Sequence, residues 1–249
     1  MFLHTLLTHT MNLKKLLKPS NILLTTLLLS AAGTAYGHSS AENEAQGLPC
    51  NQAISKGLIS TEEQEELKKL QRLIANGGDV NQTDKHGQTP LYRAAKRGHT
   101  ECVKFLLTIP GIDITVENLY GDTPLLAAIC NDKTECIKLL LTAPGLDINK
   151  ANNYGETPLI VAICKEKTEY IKLLLSTHGI NVNMVNKHAD TPLLVAVHKD
   201  KAKCLELLLA APGIDVNKAD KNGNTPLKVA TKLGRTECAE LIRAAGGKE

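Results

Sequence analysis

The sequence predicts an all-α fold, a solenoid of helix-turn-helix units with protruding β-turn or hairpin tips, and three observations carry that expectation. The tripeptide Thr-Pro-Leu begins at Thr89, Thr123, Thr157, Thr191 and Thr225, a spacing of 34 residues each time. Its surroundings repeat in register. Gly stands two places before Thr at Gly87, Gly121, Gly155 and Gly223, with Ala189 in the odd copy, and Ala follows Leu by three at Ala94, Ala128, Ala162, Ala196 and Ala230. Longer blocks, TECIKLLL at 134–141 and PGIDVN at 212–217, recur with small changes. A fixed period of this size marks one supersecondary unit that buries its apolar faces only by stacking on its neighbours.

The front of the chain reads differently. From Met11, the expected start, a basic stretch (Lys14, Lys15, Lys18) precedes an apolar run from Ile22 to Ala32, then small residues, then the polar His38–Gln46. That order is the pattern of a signal peptide over residues 1–37, with cleavage after Ala35 or Gly37. The apolar run is too short for the ~30 Å hydrocarbon core, which takes about 20 residues. The expected product is exported, periplasmic or secreted, with no membrane attachment once the signal is removed. Residues 38–52 read as a polar linker and 53–83 as an N-terminal capping unit. Within the latter, Ser60-Thr61-Glu62-Glu63 has the form of a capping box, Glu63 reaching back to Ser60.

Five units follow, at 84–117, 118–151, 152–185, 186–219 and 220–249. Each opens on a turn such as Asn152–Gly155, where Gly suits a positive φ. Thr caps the first helix and Pro takes its first position, giving a helix over Pro124–Asn131 in the second unit. A second helix, Thr134–Thr142, places Cys136, Ile137, Leu139, Leu140 and Leu141 toward its neighbours. Ala143-Pro144-Gly145 stops it. In the last unit Glu237, Glu240, Arg243 and Lys248 supply the polar outer face a terminal repeat needs.

Composition excludes several classes. The 29 Lys+Arg against 26 Asp+Glu give a net charge of +3, and residues 1–37 carry all of that excess, so the remainder is neutral. A nucleic-acid binder presents a basic stripe, and five aromatic residues past position 37 are too few for a base-stacking platform. No nucleic-acid partner is expected.

Seven cysteines in an exported chain invite disulfides. Their register argues against it. Cys102, Cys136, Cys204 and Cys238 share one repeat position, and neighbouring repeats stand about 8–10 Å apart, beyond the ~7 Å Cα reach of a disulfide. They read as small buried hydrophobes, with Cys130 and Cys164 as exposed thiols at another position. Ligands at repeat spacing make a poor metal site, so no metal and no cofactor is expected. The serines lack a G-x-S-x-G elbow, the histidines lack H-E-x-x-H, and no Gly-rich phosphate loop occurs. The acids Glu101, Glu135, Glu169, Glu206 and Glu237 on the second helices read as exposed positions pairing with lysine. The chain is not expected to be an enzyme.

Period and signature together resemble the ankyrin repeat, over Asp84–Glu249 and more weakly over Ala53–Thr83, where IANGGDVN (74–81) matches a repeat ending. Departures from the family pattern are local. The extra residue lies in the Pro-Gly loop. The usual His after Thr-Pro-Leu is Tyr92, Leu126, Ile160, Leu194 or Lys228, and the usual Gly between helices survives as Gly98 and Gly234 but becomes Asp132, Glu166 and Asp200.

The resemblance implies an ankyrin solenoid, monomeric, that binds another protein along a concave face of turn tips and first helices. Carried over by position, that face holds Lys85, His86, Lys96 and Arg97, then Leu119, Tyr120 and Asp122, then Asn153, Tyr154 and Glu156. Lys187, His188 and His198 come next, and Lys221 last. The centre is aromatic and apolar, both ends basic. Two roles fit: a binder or scaffold, or an inhibitor of the immunity type that neutralises a secreted toxin or enzyme.

Overall fold

In the computed structural model residues 60–249 are described, so the expected signal peptide, the linker, Cys50 and the start of the capping unit lie outside the described residues. The described part is helical throughout, with tight turns and no strand. Its elements are α1 (Thr61–Ala75), α2 (Pro90–Arg97), α3 (Thr100–Leu107), α4 (Pro124–Cys130), α5 (Thr134–Leu141), α6 (Pro158–Cys164), α7 (Thr168–Ser176), α8 (Pro192–His198), α9 (Ala202–Leu209), α10 (Pro226–Lys232) and α11 (Thr236–Ala244). The first helices α2, α4, α6, α8 and α10 stack in one layer. The second helices α3, α5, α7, α9 and α11 form the other, and α1 extends that layer by packing on α3. The tips are turns rather than strand-bearing hairpins.

Local chemistry explains each first helix. Thr89, Thr123, Thr157, Thr191 and Thr225 each accept a hydrogen bond at Oγ1 from the N–H three residues on, at 3.1–3.3 Å, with Pro at the first helical position. The Leu after each Pro is buried, and the repeated Ala is 0% exposed in all five copies. A larger side chain there would push the helices of a unit apart.

The helices stop where the chain turns left-handed. Asp132, Glu166 and Asp200 have φ of 57°, 56° and 55°, against 82° and 67° at Gly98 and Gly234. The next residue's N–H then bonds back to the repeated Ala carbonyl, as Lys133 does to Ala128 at 3.0 Å. This turn ends α4 at Cys130, so Asn131, the last residue of the expected helix, falls outside it. Likewise α5 ends at Leu141, one residue earlier than expected. Where His178 replaces the loop proline, α7 runs on to Ser176.

The three acids that replace Gly have partners in the next repeat. Asp132 pairs with Lys167 at 3.1 Å, Glu166 with Lys201 at 2.6 Å and Asp200 with Arg235 at 3.0 Å. At Gly98 the Lys133 stem fills the space instead, its Cδ 2.7 Å from where a Cβ would lie. An acid in the left-handed position, which costs strain for any residue with a Cβ, is thus partly offset by an ion pair along the stack.

One continuous hydrophobic core runs from Leu67 to Ile242. Cys102, Cys136, Cys204 and Cys238 are buried within it, as the register predicted. Tyr170 fills the fifth copy of that position, its hydroxyl 3.0 Å from Thr134 Oγ1 of the preceding unit. Two expectations are corrected. Glu63 does not reach back to Ser60: although its N–H bonds to Ser60 Oγ, its carboxylate accepts the Glu101 N–H at 2.7 Å. Glu63 therefore caps α3 across the interface, a stronger site for a carboxylate because helix N-terminal N–H groups otherwise go unpaired. Glu101 in turn is buried rather than exposed, while still pairing with Lys104 at 2.8 Å.

Candidate interaction surface

The tips are built by one repeated brace. Asp84, Asn118, Asn152, Asn186 and Asp220 each accept, at a single Oδ1, the N–H groups two and four residues on, at 2.8–3.0 Å. A side chain that mimics a backbone turn in this way fixes the loop. The two residues after it are then turned outward. The Gln88 N–H holds the Asp84 carboxyl below the usual range, and the Asn224 N–H does the same for Asp220.

Neighbouring tips also join through backbone. The Leu119 N–H donates to the His86 carbonyl at 3.2 Å and the Asn153 N–H to the Tyr120 carbonyl at 2.9 Å. Asn118 also donates to the hydroxyl of buried Tyr92 at 2.8 Å, which ties the second tip to the first unit. Burial, with Asp122 adding to it, pushes the Tyr92 phenol up to about 12.

Most residues expected at the surface are exposed there: Lys85, His86, Lys96, Arg97, Leu119, Tyr120, Asn153, Tyr154, Lys187, His188, His198 and Lys221. Leu119, Tyr120 and Tyr154 stand out at 66%, 61% and 59% exposed. Arg97, Asn153 and His198 of this set, with Asp122 and Glu156, are committed within the chain. Arg97 turns to Glu66 and Glu62 of the cap. Asn153 donates to the Leu119 carbonyl at 3.1 Å. Asp122 and Glu156 are half-buried and both accept from Asn152 Nδ2, at 3.0 and 3.3 Å. His198 Nε2 lies 3.7 Å from Asp190. The centre is thus aromatic at its tips but carries a carboxylate row, Asp122, Glu156 and Asp190, behind them.

The sequence reading missed a second brace, on the far loops. Asn81 donates to the Gly111 carbonyl at 2.8 Å and accepts the Asp113 N–H at 2.8 Å. Asn149 does the same to Gly179 and Asn181, and Asn183 to Gly213 and Asp215. Asn217 receives the Lys248 N–H at 2.7 Å. The recurring Asn that ends the DVN, DIN and NVN blocks was the available signal, and Thr115 is the break in it.

The exposed cysteines are not poised for chemistry. Partial burial, then Asp122, raises the Cys130 thiol above its ordinary range, and partial burial, then Glu156, raises Cys164. A nucleophilic cysteine needs the opposite environment. Among the described residues no group of His, Cys, Asp or Glu is arranged to hold a metal ion, and no helix is long and apolar enough to cross a membrane. All six described cysteines are free. Reduction is therefore expected to leave the melting temperature nearly unchanged, and Cys130 and Cys164 should alkylate more slowly at neutral pH than a free cysteine. A drop in stability matching the ~2–5 kcal/mol of a lost disulfide would refute this.

Two layers of paired short helices, capped at the N-terminal end by α1 and presenting braced tips on one side, define a helical repeat solenoid with an open recognition surface. The model of ankyrin repeats matches residues 58–152, 109–186, 143–220 and 181–248. The chain belongs to the ankyrin repeat family, whose stacked units serve protein interaction.

Solved structures agree. An ankyrin repeat domain from Acinetobacter baumannii AYE is 29% identical, with 75% of this chain and 95% of that one covered and a TM-score of 0.67. The ankyrin repeat domain of Bcl-3, a member of the IkappaB protein family, is 25% identical over 82% of this chain and 88% of that one, with a TM-score of 0.70. A chain in the complex of the Bd0816 predatory endopeptidase from Bdellovibrio bacteriovorus with immunity protein Bd3460 is 26% identical, covering 73% of this chain and 94% of that one, at a TM-score of 0.61. No curated protein sequence matches.

Proposed function

We propose that this is an exported, non-enzymatic module that binds one partner protein on its concave face of tips and first helices. The observation that supports it most is the cluster of Leu119, Tyr120 and Tyr154, more than half exposed on two adjacent central tips. Large apolar groups held outward on braced turns contribute nothing to folding and mark an interaction patch. Anchors of an interface cluster at its centre, and Tyr is enriched among them. Tyr120→Ala and Tyr154→Ala should each weaken partner binding by about 1–3 kcal/mol and leave the melting temperature unchanged. Lys85→Ala and Lys221→Ala, at the rims, should mainly slow association and lessen its salt dependence. Binding kinetics on a partner captured with the full chain provide the measurement. Tyrosine variants that bind like wild type would place the interface elsewhere.

An inhibitory role is the second reading, favoured by the likeness to a chain in an endopeptidase–immunity protein complex. Inhibition of the captured partner's activity would select it over a scaffold. Export rests on the basic, apolar and small-residue order of residues 11–37, and N-terminal sequencing of exported protein should start near Tyr36 or His38. An intact Met1 or Met11 terminus in the cytosol would contradict it.

A further inference from the structure

The charge of this chain is unevenly placed. On the tip and first-helix face the outward positions of the five repeats hold eight bases and three acids, while the rest of residues 60–249 carries 17 bases and 21 acids. The small net charge of residues 60–249, +1, therefore hides a face of net +5 against a remainder of −4. Within that face the charge is divided again. The two central repeats contribute Asp122, Glu156 and Lys165 around the exposed tyrosines. Lys85 and Lys96 stand on one flank, and Lys187, Lys199, Lys221 and Lys232 on the other, where Asp190, beside His198, is the third acid of the face. None of these flanking lysines has a carboxylate within ion-pair distance among the described residues, whereas Arg97 is held by Glu66 and Glu62.

We propose that the partner meets this face with an acidic protein surface: carboxylates opposite each lysine flank, an apolar prominence over Leu119, Tyr120 and Tyr154, and hydrogen-bond donors toward Asp122 and Glu156. This rests on the reading of the face as a protein interface. From the first repeat to the fourth is three steps of about 8–10 Å, well beyond a screening length of ~8 Å at physiological salt. Each flank must therefore meet its own acids, which requires an extended or folded partner rather than a single acidic group. Phosphate chains fit less well, because the carboxylate row would face them across the middle of the site. The basic residues of the chain's own leader, Lys14, Lys15 and Lys18, have the wrong sign.

The test uses the full chain and a yeast-displayed library of short random loops on a neutral scaffold. Clones are first sorted by whether Tyr120→Ala with Tyr154→Ala abolishes their binding. The tyrosine-dependent clones should carry net negative loops with an aromatic or aliphatic centre. They should lose at least about tenfold in association rate between roughly 0.05 and 0.5 M salt. Lys187→Glu combined with Lys221→Glu should weaken them about tenfold or more, while a charge reversal on the opposite layer, Lys172→Glu, leaves them unchanged. Tyrosine-dependent clones that are neutral or basic would overturn the acidic partner and leave the interface in place. A library with no tyrosine-dependent clone would overturn both. A single-stranded oligonucleotide that displaces the acidic clones at lower concentration than they bind would assign the face to nucleic acid instead.

Discussion

Gly121→Ala is expected to destabilise the fold by about 2–5 kcal/mol, combining the left-handed cost of a Cβ, about 1–2 kcal/mol, with the overpacking cost of about 1–3 kcal/mol. Gly121 sits at φ 77°, and a Cβ built on it would stand 2.6 Å from the Asn153 N. That amide is the one bonded to the Tyr120 carbonyl, so relieving the clash means parting two tips. Gly155→Ala should behave alike, since its Cβ would meet the Lys187 N at 2.6 Å. Gly223 provides the control: φ is 76° but nothing lies within 4 Å of the added carbon. There the left-handed cost is partly offset by the reduced freedom of the unfolded chain, leaving about 1 kcal/mol. At Ala189 the experiment is already half done, because φ is 66° with the methyl in place. Ala189→Gly should stabilise by up to ~1 kcal/mol by the same reasoning reversed. Urea unfolding of the four variants gives the measurement, and equal losses at Gly121 and Gly223 would show that the tips do not touch.

Asn149→Ala should cost about 1–3 kcal/mol, because it removes a donor to the Gly179 carbonyl and an acceptor for the Asn181 N–H, both at 2.7 Å, and each such bond contributes about 0.5–1.5 kcal/mol net. The position matters more than the count. In a linear stack each unit touches only its neighbours, so a weakened middle interface lowers the coupling on which cooperative unfolding depends. The converse experiment is Thr115→Asn. Thr115 occupies the same place in the first repeat but spends its hydroxyl on Asp113, at 2.7 Å, and leaves the 145–147 loop without the side-chain brace its siblings receive. Asparagine there should raise stability by about 0.5–1.5 kcal/mol, read from the denaturation midpoint at unchanged slope. If Thr115→Asn has no effect while Asn149→Ala is costly, the first far loop differs in geometry from the others.

Export, partner and surface chemistry are separable in the laboratory. The tyrosine variants test where a partner sits, the lysine reversals test what its surface is made of, and sequencing of the exported terminus tests where the mature chain begins. A result against export leaves the interface standing, and so does a result against the acidic surface, whereas a result against the interface removes the acidic surface with it.

The period of 34 residues, the Thr-Pro caps, the buried Leu and Ala positions and the outward tyrosines were all legible in the chain, because each depends on contacts within a few residues or on a position that simply recurs. Repetition turns one local rule into five, so the helices, the buried cysteine ladder and the exposed tips could be placed without coordinates. What joins one unit to the next was not legible. The Glu63 carboxylate looked like a partner for Ser60 three residues away and instead accepts the Glu101 N–H in the next unit, leaving only the Glu63 N–H on Ser60. The Asn149 type of brace acts 30 and 32 residues along the chain, and Asn152 gathers Asp122 and Glu156 from two repeats. Side chains with several hydrogen-bonding atoms have both local and distant partners, and the choice depends on which buried N–H or carbonyl the stack brings within 3 Å. Sequence determined the unit and its two faces; only the stacked structure decided which polar atoms hold neighbouring units together.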